Sequence, residues 1–292
     1  MLGARPIAFN TVRYSEKLLQ KHGISVQTID FSEIIFKAMH YNDAEKVVAK
    51  IKEIREYGSV PAWISDEVME KQAKLCLVID EAIEDLQCDA STVQCWDSVE
   101  NNYGCATCLA MSMMGDNGKP SACESDVTGA LSMLAAWLAA GTAPALMDWN
   151  NNIREERNAC VSLHCSNFPK SFFQNDVEIE CLDVLGSTLG KENCFGACKG
   201  HVAAGDMTFI RLTTDDQRGT VKAYLGEGVF RDEVIPTKGG VANCYIENLQ
   251  NLLRYVCENG YEHHVCFVRG HVADILEEAL TKYMGIPVYR HR

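Results

Sequence analysis

The strongest constraint on the fold is a change in sequence pattern near residue 150. Before this point, apolar residues such as Val47, Ile51 and Ile54 recur at helical spacing between charged residues. After it, short runs rich in Val, Thr, Phe and Tyr are separated by glycines. The pattern predicts a mixed α/β chain of two domains, an α/β domain over residues 1–150 and a mainly antiparallel β domain over residues 151–292.

The first domain is predicted to be Rossmann-like, with helices that cover parallel strands. Helices are predicted over residues 13–21, 43–57, 65–86, 105–114 and 127–140, and strands over residues 24–29, 91–96 and 145–149. The chain starts with a helix, and a parallel sheet needs the strands that its helices cover. We therefore expect this domain to be incomplete at its N-terminus.

The second domain is predicted to contain hairpins and a last helix. Residues 207–213 and 220–225 flank the turn-forming segment 215–219. A helix is predicted over residues 273–284, followed by a short strand over residues 287–289. This pattern is typical of a barrel or a sandwich, and we expect a β-barrel-like domain with a C-terminal helix.

Charge and composition exclude several classes of partner. The formal net charge is −13, and no Lys/Arg cluster interrupts it, so binding to nucleic acid or to anionic lipid is disfavoured. The most apolar stretch, residues 130–146, contains Gly141 and Pro144 and is too short to cross a membrane. The first residues do not form a signal peptide, and we expect a cytoplasmic protein.

The 14 cysteines are scattered along the chain, which favours reduced thiols packed as small apolar residues. Two close pairs leave an alternative open, because Cys105, Cys108, Cys194 and Cys198 together supply the ligands of a structural zinc site. The second spacing is not that of a usual zinc knuckle.

Two carboxylates lie at predicted element ends. Glu124 precedes a helix that Ser125 or Asp126 can cap, and Asp148 lies near the end of the next strand. In a parallel sheet both positions fall at the carboxyl edge, where ligands bind, and one helical crossover would set them on neighbouring strands. The alternative is that both are helix caps or solvated side chains.

Histidines supply a second group of candidate ligands. Glu262-His263-His264 enters a predicted strand, and alternation lets at most one of the two histidines face a site. One histidine with two carboxylates suits Mn²⁺ or another divalent cation of intermediate hardness. His164 lies on a β-like segment and is a weaker candidate, since a lone histidine is more often structural.

Five segments together resemble the metal-binding segments of the L-fucose isomerase family, in the same order. They are residues 123–130, 147–149, 262–264, 270–271 and 285–288. The opening residues 2–6, together with residues 13–15 and the turn at residues 23–24, resemble the junction inside that family's middle domain. The resemblance therefore runs along nearly the whole chain.

The resemblance implies a metal-dependent aldose-ketose isomerase that acts on a small-molecule sugar through an enediol. It implies that Glu124, Asp148 and His264 bind a divalent metal, usually Mn²⁺, and that Glu124 and Asp148 also move protons. The more distant L-arabinose isomerases add a histidine at a position that His164 matches. The family also implies a homo-oligomer, a trimer or a hexamer.

Members of that family are longer than this chain. The expectation therefore has an alternative, a fragment or a carbohydrate- or metal-binding module that keeps the fold without independent activity.

Overall fold

The computed structural model describes residues 12–292, so the opening residues 2–6 of the resemblance lie outside it. The helices are α1 Glu16–Gln20, α2 Phe31–Met39, α3 Ala44–Tyr57, α4 Asp66–Asp85, α5 Ser98–Asn102, α6 Cys108–Asp116, α7 Val127–Ala140, α8 Asp183–Leu189, α9 Leu249–Glu258 and α10 Ala273–Glu278. The strands are β1 Ser91–Val93, β2 Ser121–Cys123, β3 Ala145–Ile153, β4 Glu156–His164, β5 Glu178–Cys181, β6 Phe195–His201, β7 Gly205–Asp215, β8 Thr220–Arg231, β9 Gly240–Tyr245, β10 His264–Arg269 and β11 Val288–Arg290.

The strands form one small sheet and one large sheet. β1 and β2 pair in parallel as a sheet of two strands. The large sheet has nine strands in the order β11-β8-β7-β10-β3-β4-β9-β6-β5, and most of its pairs are antiparallel. β8 also pairs with β9. The strands β8, β7, β10, β3, β4 and β9 therefore form a closed cycle of neighbouring pairs. The predicted mixed α/β class with a mainly antiparallel sheet is confirmed.

The central strands of the large sheet separate two apolar cores. Leu146, Ile210 and Cys266 pack with α7 in one core, whereas their chain neighbours Met147 and Phe209 belong to the other, larger core. This division follows from the alternation of side chains along a strand. Burying one large apolar side chain completely stabilises the fold by roughly 1.5–3 kcal/mol relative to leaving it exposed. The packing of the two cores against the sheet therefore holds the ends of β3, β4 and β10 in place.

Helix capping follows the sequence closely. The Asp126 carboxylate accepts a hydrogen bond from the backbone N–H of Gly129 and caps α7, and Gly141 ends that helix with a φ of 67°. A positive φ at this position favours glycine because it lacks a Cβ. The last helix differs in part from its prediction, since the regular α-helix ends at Glu278 and continues as a π-helical turn over Ala279–Tyr283.

The predicted strand over residues 24–29 is wrong. This segment is irregular, although Ile24 and Val26 pack against the core that contains α7. The alternation therefore reflects packing on one side of an extended segment that pairs with no described strand.

The strand that ends the predicted first domain is part of the large sheet. Asp148 on β3 pairs with His264 on β10 and with Leu163 on β4. The boundary near residue 150 stays a prediction. Within residues 12–292, none of the helices combines the length and the apolar character that crossing a membrane requires.

Candidate metal centre

Glu124 follows directly from β2, in a turn with an unusual backbone. Glu124 and its neighbour Ser125 have φ angles of 61° and 57°. A left-handed conformation is uncommon for residues other than glycine and costs about 1–3 kcal/mol each, so it persists only where the surrounding structure enforces it. The turn places the Glu124 carboxylate, 13% exposed, beside His164 and His264.

Three neighbouring strands supply the other candidate ligands. Asp148 lies on β3, His264 opposite it on β10, and His164 at the last position of β4. The distance from His264 Nε2 to Asp148 Oδ1 is 3.5 Å, and the two histidine rings lie 5.3 Å apart between centroids. Both histidines are buried. The register of three strands thus brings together residues that are up to 116 positions apart in sequence.

The two carboxylates converge by a different route from the one predicted. Glu124 follows β2 of the small sheet, whereas Asp148 lies on β3 of the large sheet, so they do not lie on neighbouring strands of one parallel sheet. They nevertheless face the same histidine, since Glu124 Oε2 lies 3.6 Å from His264 Nε2. Helix α7 connects the two sheets and brings the carboxylates together.

The site presents buried ligand atoms that lack a partner. Within residues 12–292, Asp148 Oδ1 and His264 Nε2 are buried and make no hydrogen bond. Buried polar atoms are nearly always paired, and an unpaired one costs about 1–3 kcal/mol. Ligand atoms of Asp148, His164 and His264 lie within 4.8 Å of one another, as do those of Glu124, His263 and His264. This donor set fits a divalent cation of intermediate hardness.

A buried carboxylate orients His264. Asp126 Oδ2 lies 2.9 Å from His264 Nδ1, which leaves Nε2 facing Glu124 and Asp148. Asp126 is held by Arg211, which forms two hydrogen bonds to it, one of them 2.9 Å long from Nη2 to Oδ1. Arg211 Nε also donates to Glu262 Oε2 at 3.2 Å. A carboxylate behind a ligating histidine fixes the tautomer that presents the free nitrogen to a metal.

The sequence predicted only part of the role of these residues. Asp126 was expected as a helix cap, which is confirmed, but its contact with His264 was not foreseen. Arg211 lies between Ile210 and Leu212 in an apolar strand and is fully buried. An arginine inside a buried strand needs a carboxylate partner, and this is the signal that could have pointed to the network.

His164 has a different partner. Its Nδ1 lies 3.4 Å from Cys165 Sγ, and its Nε2 lies 4.0 Å from Glu124 Oε1. Cys165 in turn belongs to a group with Cys123 and His164 whose ligand atoms lie within 4.8 Å of one another. His164 is thus placed between the carboxylates on one side and two thiols on the other.

The electrostatics of the site differ between its members. Burial raises the pKa of Glu124 to about 7, and the nearby positive charge of His164 offsets only part of this effect. Burial also raises the pKa of Asp148. The pKa of Asp126 lies well below its usual value because the Arg211 charge and the His264 contact outweigh its burial. Asp126 is therefore ionised, whereas Glu124 exchanges its proton near neutral pH.

The two histidines have pKa values shifted in opposite directions. Burial lowers the pKa of His264, and the contact with Asp126 compensates in part. For His164, burial is outweighed by the negative charges of Cys165, Asp148 and Glu124, which raise its pKa well above the usual value. The pKa of Cys165 is lowered, first by its hydrogen bond with Cys123 and then, against burial, by His164.

The expectation that only one of His263 and His264 faces the site is wrong. His263 precedes the first residue of β10, where strand alternation no longer applies, and its Nε2 lies 3.5 Å from Asp148 Oδ1. His263 is half-exposed. His264 remains the buried member of the pair, opposite Asp148 in the register.

The alternative zinc site receives no support from the fold. Cys105, Cys108, Cys194 and Cys198 are all buried free thiols. Among the part of the chain that the structure describes, no three of them come close enough to hold one ion.

Comparison with known proteins agrees with the motifs. Residues 162–292 match the family model of the L-fucose isomerase C-terminal domain, a match that includes His164 and His264. The sulfoquinovose isomerase of Priestia megaterium is 27% identical over 277 residues, which are 94% of this chain and 59% of that protein. The sulfoquinovose isomerase of Alkalicoccus urumqiensis is 26% identical over 270 residues, 91% of this chain and 58% of that protein.

The chain thus spans about three fifths of the length of the curated relatives that it matches. The matches confirm the resemblance that the sequence motifs indicate. The chain is similar to proteins of the L-fucose isomerase type, and residues 162–292 match the model of the L-fucose isomerase C-terminal domain.

Proposed function

We propose that this chain is a metal-dependent aldose-ketose isomerase with its active centre at Glu124, Asp148, His264 and His164. The observation that carries the proposal is the convergence of these four side chains from two sheets. Among the described residues, the buried atoms Asp148 Oδ1 and His264 Nε2 make no hydrogen bond. The names of the similar proteins support isomerisation of a sugar.

The four side chains would hold a divalent cation, and their mixed oxygen and nitrogen donors suit Mn²⁺. When bound, such an ion acts as a Lewis acid that stabilises negative charge on the sugar oxygens. His264 is oriented to bind a metal ion because Asp126 contacts its Nδ1. Its other ring nitrogen, Nε2, then faces the carboxylates. His164 completes the set from the opposite side of Asp148.

The two carboxylates are the proposed proton carriers. An aldose becomes a ketose when a proton leaves C2 and another is added at C1, through an enediol. Burial raises the pKa of Glu124 to about 7 when no metal is bound, and a bound cation would hold the carboxylate ionised at neutral pH, the form in which a general base accepts a proton. Glu124 can therefore accept a proton from the sugar and return it, with Asp148 as the second carboxylate across the reacting bond.

Several finer expectations accompany this proposal. The substrate is a small-molecule sugar, and the similar proteins make sulfoquinovose a candidate beside L-fucose and L-arabinose. Homo-oligomerisation as a trimer or hexamer and a cytoplasmic location stay predictions. The Rossmann-like assignment of the first domain and the β-barrel assignment of the second also stay predictions, the latter supported by pairing that closes from β9 onto β8.

The test separates metal binding from turnover. The purified chain is stripped with EDTA, titrated with Mn²⁺ while free Mn²⁺ is followed by electron paramagnetic resonance, and then assayed for ketose formed from sulfoquinovose, L-fucose, L-arabinose and D-arabinose. We expect Mn²⁺-dependent ketose formation from at least one sugar. Glu124→Gln and Asp148→Asn should each abolish it, whereas the exposed control Glu155→Gln should not.

The outcomes distinguish an active isomerase from a binding module without independent activity. Wild-type turnover by Glu124→Gln or Asp148→Asn would refute the catalytic assignment. Mn²⁺ binding that depends on His264, without ketose formation from any sugar, would instead favour a metal- or carbohydrate-binding module without independent activity.

A further inference from the structure

A cluster of thiols lies directly beside the proposed manganese centre and is not used by the isomerisation mechanism. Cys123 immediately precedes Glu124, and Cys165 immediately follows His164. The Sγ atoms of these cysteines and a ring nitrogen of His164 lie within 4.8 Å of one another. Cys95 lies behind them, with its Sγ 3.0 Å from that of Cys123.

We propose that Cys123, Cys165 and His164 form a second metal site, specific for a thiophilic divalent ion such as Zn²⁺ or Cd²⁺. Two thiolates and an imidazole are ligands that such ions prefer to carboxylates. A tetrahedral zinc with Zn–S bonds of about 2.3 Å holds two sulfurs about 3.8 Å apart, so the present spacing requires a closure of about 1 Å at most. Three protein ligands leave one coordination position open.

The geometry identifies the histidine nitrogen that each site would use. His164 Nδ1 lies 3.4 Å from Cys165 Sγ and faces the thiols. His164 Nε2 faces Glu124, whose Oε1 lies 4.0 Å away. A neutral imidazole has one lone pair in the ring plane, because its other nitrogen carries the proton. An ion bound at Nδ1 therefore leaves a protonated Nε2 that cannot bind a metal.

The two sites consequently exclude each other at His164. A thiophilic ion at Cys123, Cys165 and Nδ1 removes His164 from the manganese centre. The thiophilic site stands on its own geometry, whereas this antagonism rests on the proposed function. The thiophilic ion acts as an inhibitor through a ligand that the two sites share.

The experiment uses Cd²⁺ as the probe, because cadmium-thiolate bonds give a charge-transfer absorption in the ultraviolet. The metal-free, reduced chain is titrated with Cd²⁺ and the absorption is followed. We expect a band that saturates near one equivalent, that is lost in Cys123→Ala and in Cys165→Ala, and that weakens in His164→Ala. Cys160→Ala is the matched control, since Cys160 is a buried thiol that lies opposite Cys244 in the strand register. Among the described residues, no histidine joins these two thiols in a group that could hold a metal ion.

Further variants separate this site from the manganese centre. His264→Ala should retain the cadmium band and lose Mn²⁺ binding. One equivalent of Cd²⁺ should weaken Mn²⁺ binding by the wild type more than by Cys165→Ala, with free Mn²⁺ measured by electron paramagnetic resonance.

The proposal would be overturned by a band that persists in Cys123→Ala and Cys165→Ala, or by equal competition in the wild type and Cys165→Ala. If the chain binds no Mn²⁺ at all, the proposed function fails, but the cadmium band still decides the thiophilic site.

Discussion

Two histidines flank Asp148 on neighbouring strands, and their surroundings differ. His264 on β10 has a buried carboxylate behind it, Asp126, which Arg211 holds in turn. His164 at the end of β4 has a thiol behind it, Cys165, with Sγ 3.4 Å from Nδ1. Burial lowers the pKa of His264, whereas the negative charges around His164 raise its pKa.

In the proposed metal centre, this difference makes His264 a fixed candidate ligand and His164 an adjustable one. His264 is neutral, and its tautomer is set by Asp126, so Nε2 is ready to bind an ion without a proton being lost. His164 must lose a proton first, and its other nitrogen faces a soft, ionisable partner. We therefore propose that His264 would define the site and that the contribution of His164 would vary with conditions.

The largest expected effect concerns the support of His264. Arg211→Met removes the cation that neutralises buried Asp126 and Glu262, and leaving a buried charge uncompensated costs about 3–5 kcal/mol. We expect the free energy of unfolding, measured with urea, to fall by that amount. Arg218→Met is the matched control, because Arg218 is exposed and pairs with Asp215 on the same hairpin, and it should change stability by no more than about 0.5 kcal/mol. Equal stability of both variants would show that Asp126 and Glu262 do not depend on Arg211 for their charge compensation.

The second effect compares the two ligands directly. His264→Ala should weaken Mn²⁺ binding by at least about 100-fold, because it removes a direct ligand, whereas changes behind a ligand already cost 10–100-fold. His164→Ala should weaken it by about tenfold, since His164 Nε2 lies farther from Glu124 and is protonated when no metal is bound. The dissociation constants from the Mn²⁺ titration give the comparison. A larger loss in His164→Ala would reverse our assignment of the two roles.

The sequence named the candidate ligands but not the residues that support them. Glu124, Asp148 and His264 were found from motifs, and the spacing of helix α7 was read correctly because Asp126 and Gly141 are strong local signals. The arrangement of the two sheets was not predicted, since strand order depends on pairing between distant segments, such as Asp148 with His264. Contacts of Asp126 with His264 and Arg211 join residues up to 138 positions apart, and no local pattern reports them.

A third, smaller effect is the pH dependence of metal binding. An ion displaces the proton of Glu124, whose pKa is about 7, and that of His164, whose pKa is raised. Both protons compete with the metal at low pH, so the affinity for Mn²⁺ should rise from pH 6 to pH 8. Glu124 should contribute about tenfold over the whole interval, and His164 up to about tenfold per pH unit below its own pKa. His264, whose pKa burial lowers, should add less to this dependence.

His164→Ala sharpens this comparison because it removes one of the two protons. Its plot of Mn²⁺ affinity against pH, measured by the same titration, should be less steep than that of the wild type. An identical slope would show that His164 releases no proton when Mn²⁺ binds. His164 would then be neutral before binding, like His264.

The smallest effect concerns the support of His164. Cys165→Ala removes the partner of Nδ1 without touching Nε2, the nitrogen that faces Glu124. At pH 8 we expect Mn²⁺ affinity to fall by less than about tenfold, which is below the loss from His164→Ala, since a thiol restrains the ring more weakly than the Asp126 carboxylate restrains His264. The exposed thiol variant Cys257→Ala is the control and should bind Mn²⁺ like the wild type. A loss in Cys165→Ala as large as that in His164→Ala would mean that the thiol fixes this histidine as firmly as Asp126 fixes the other, and the contrast between a fixed and an adjustable ligand would no longer hold.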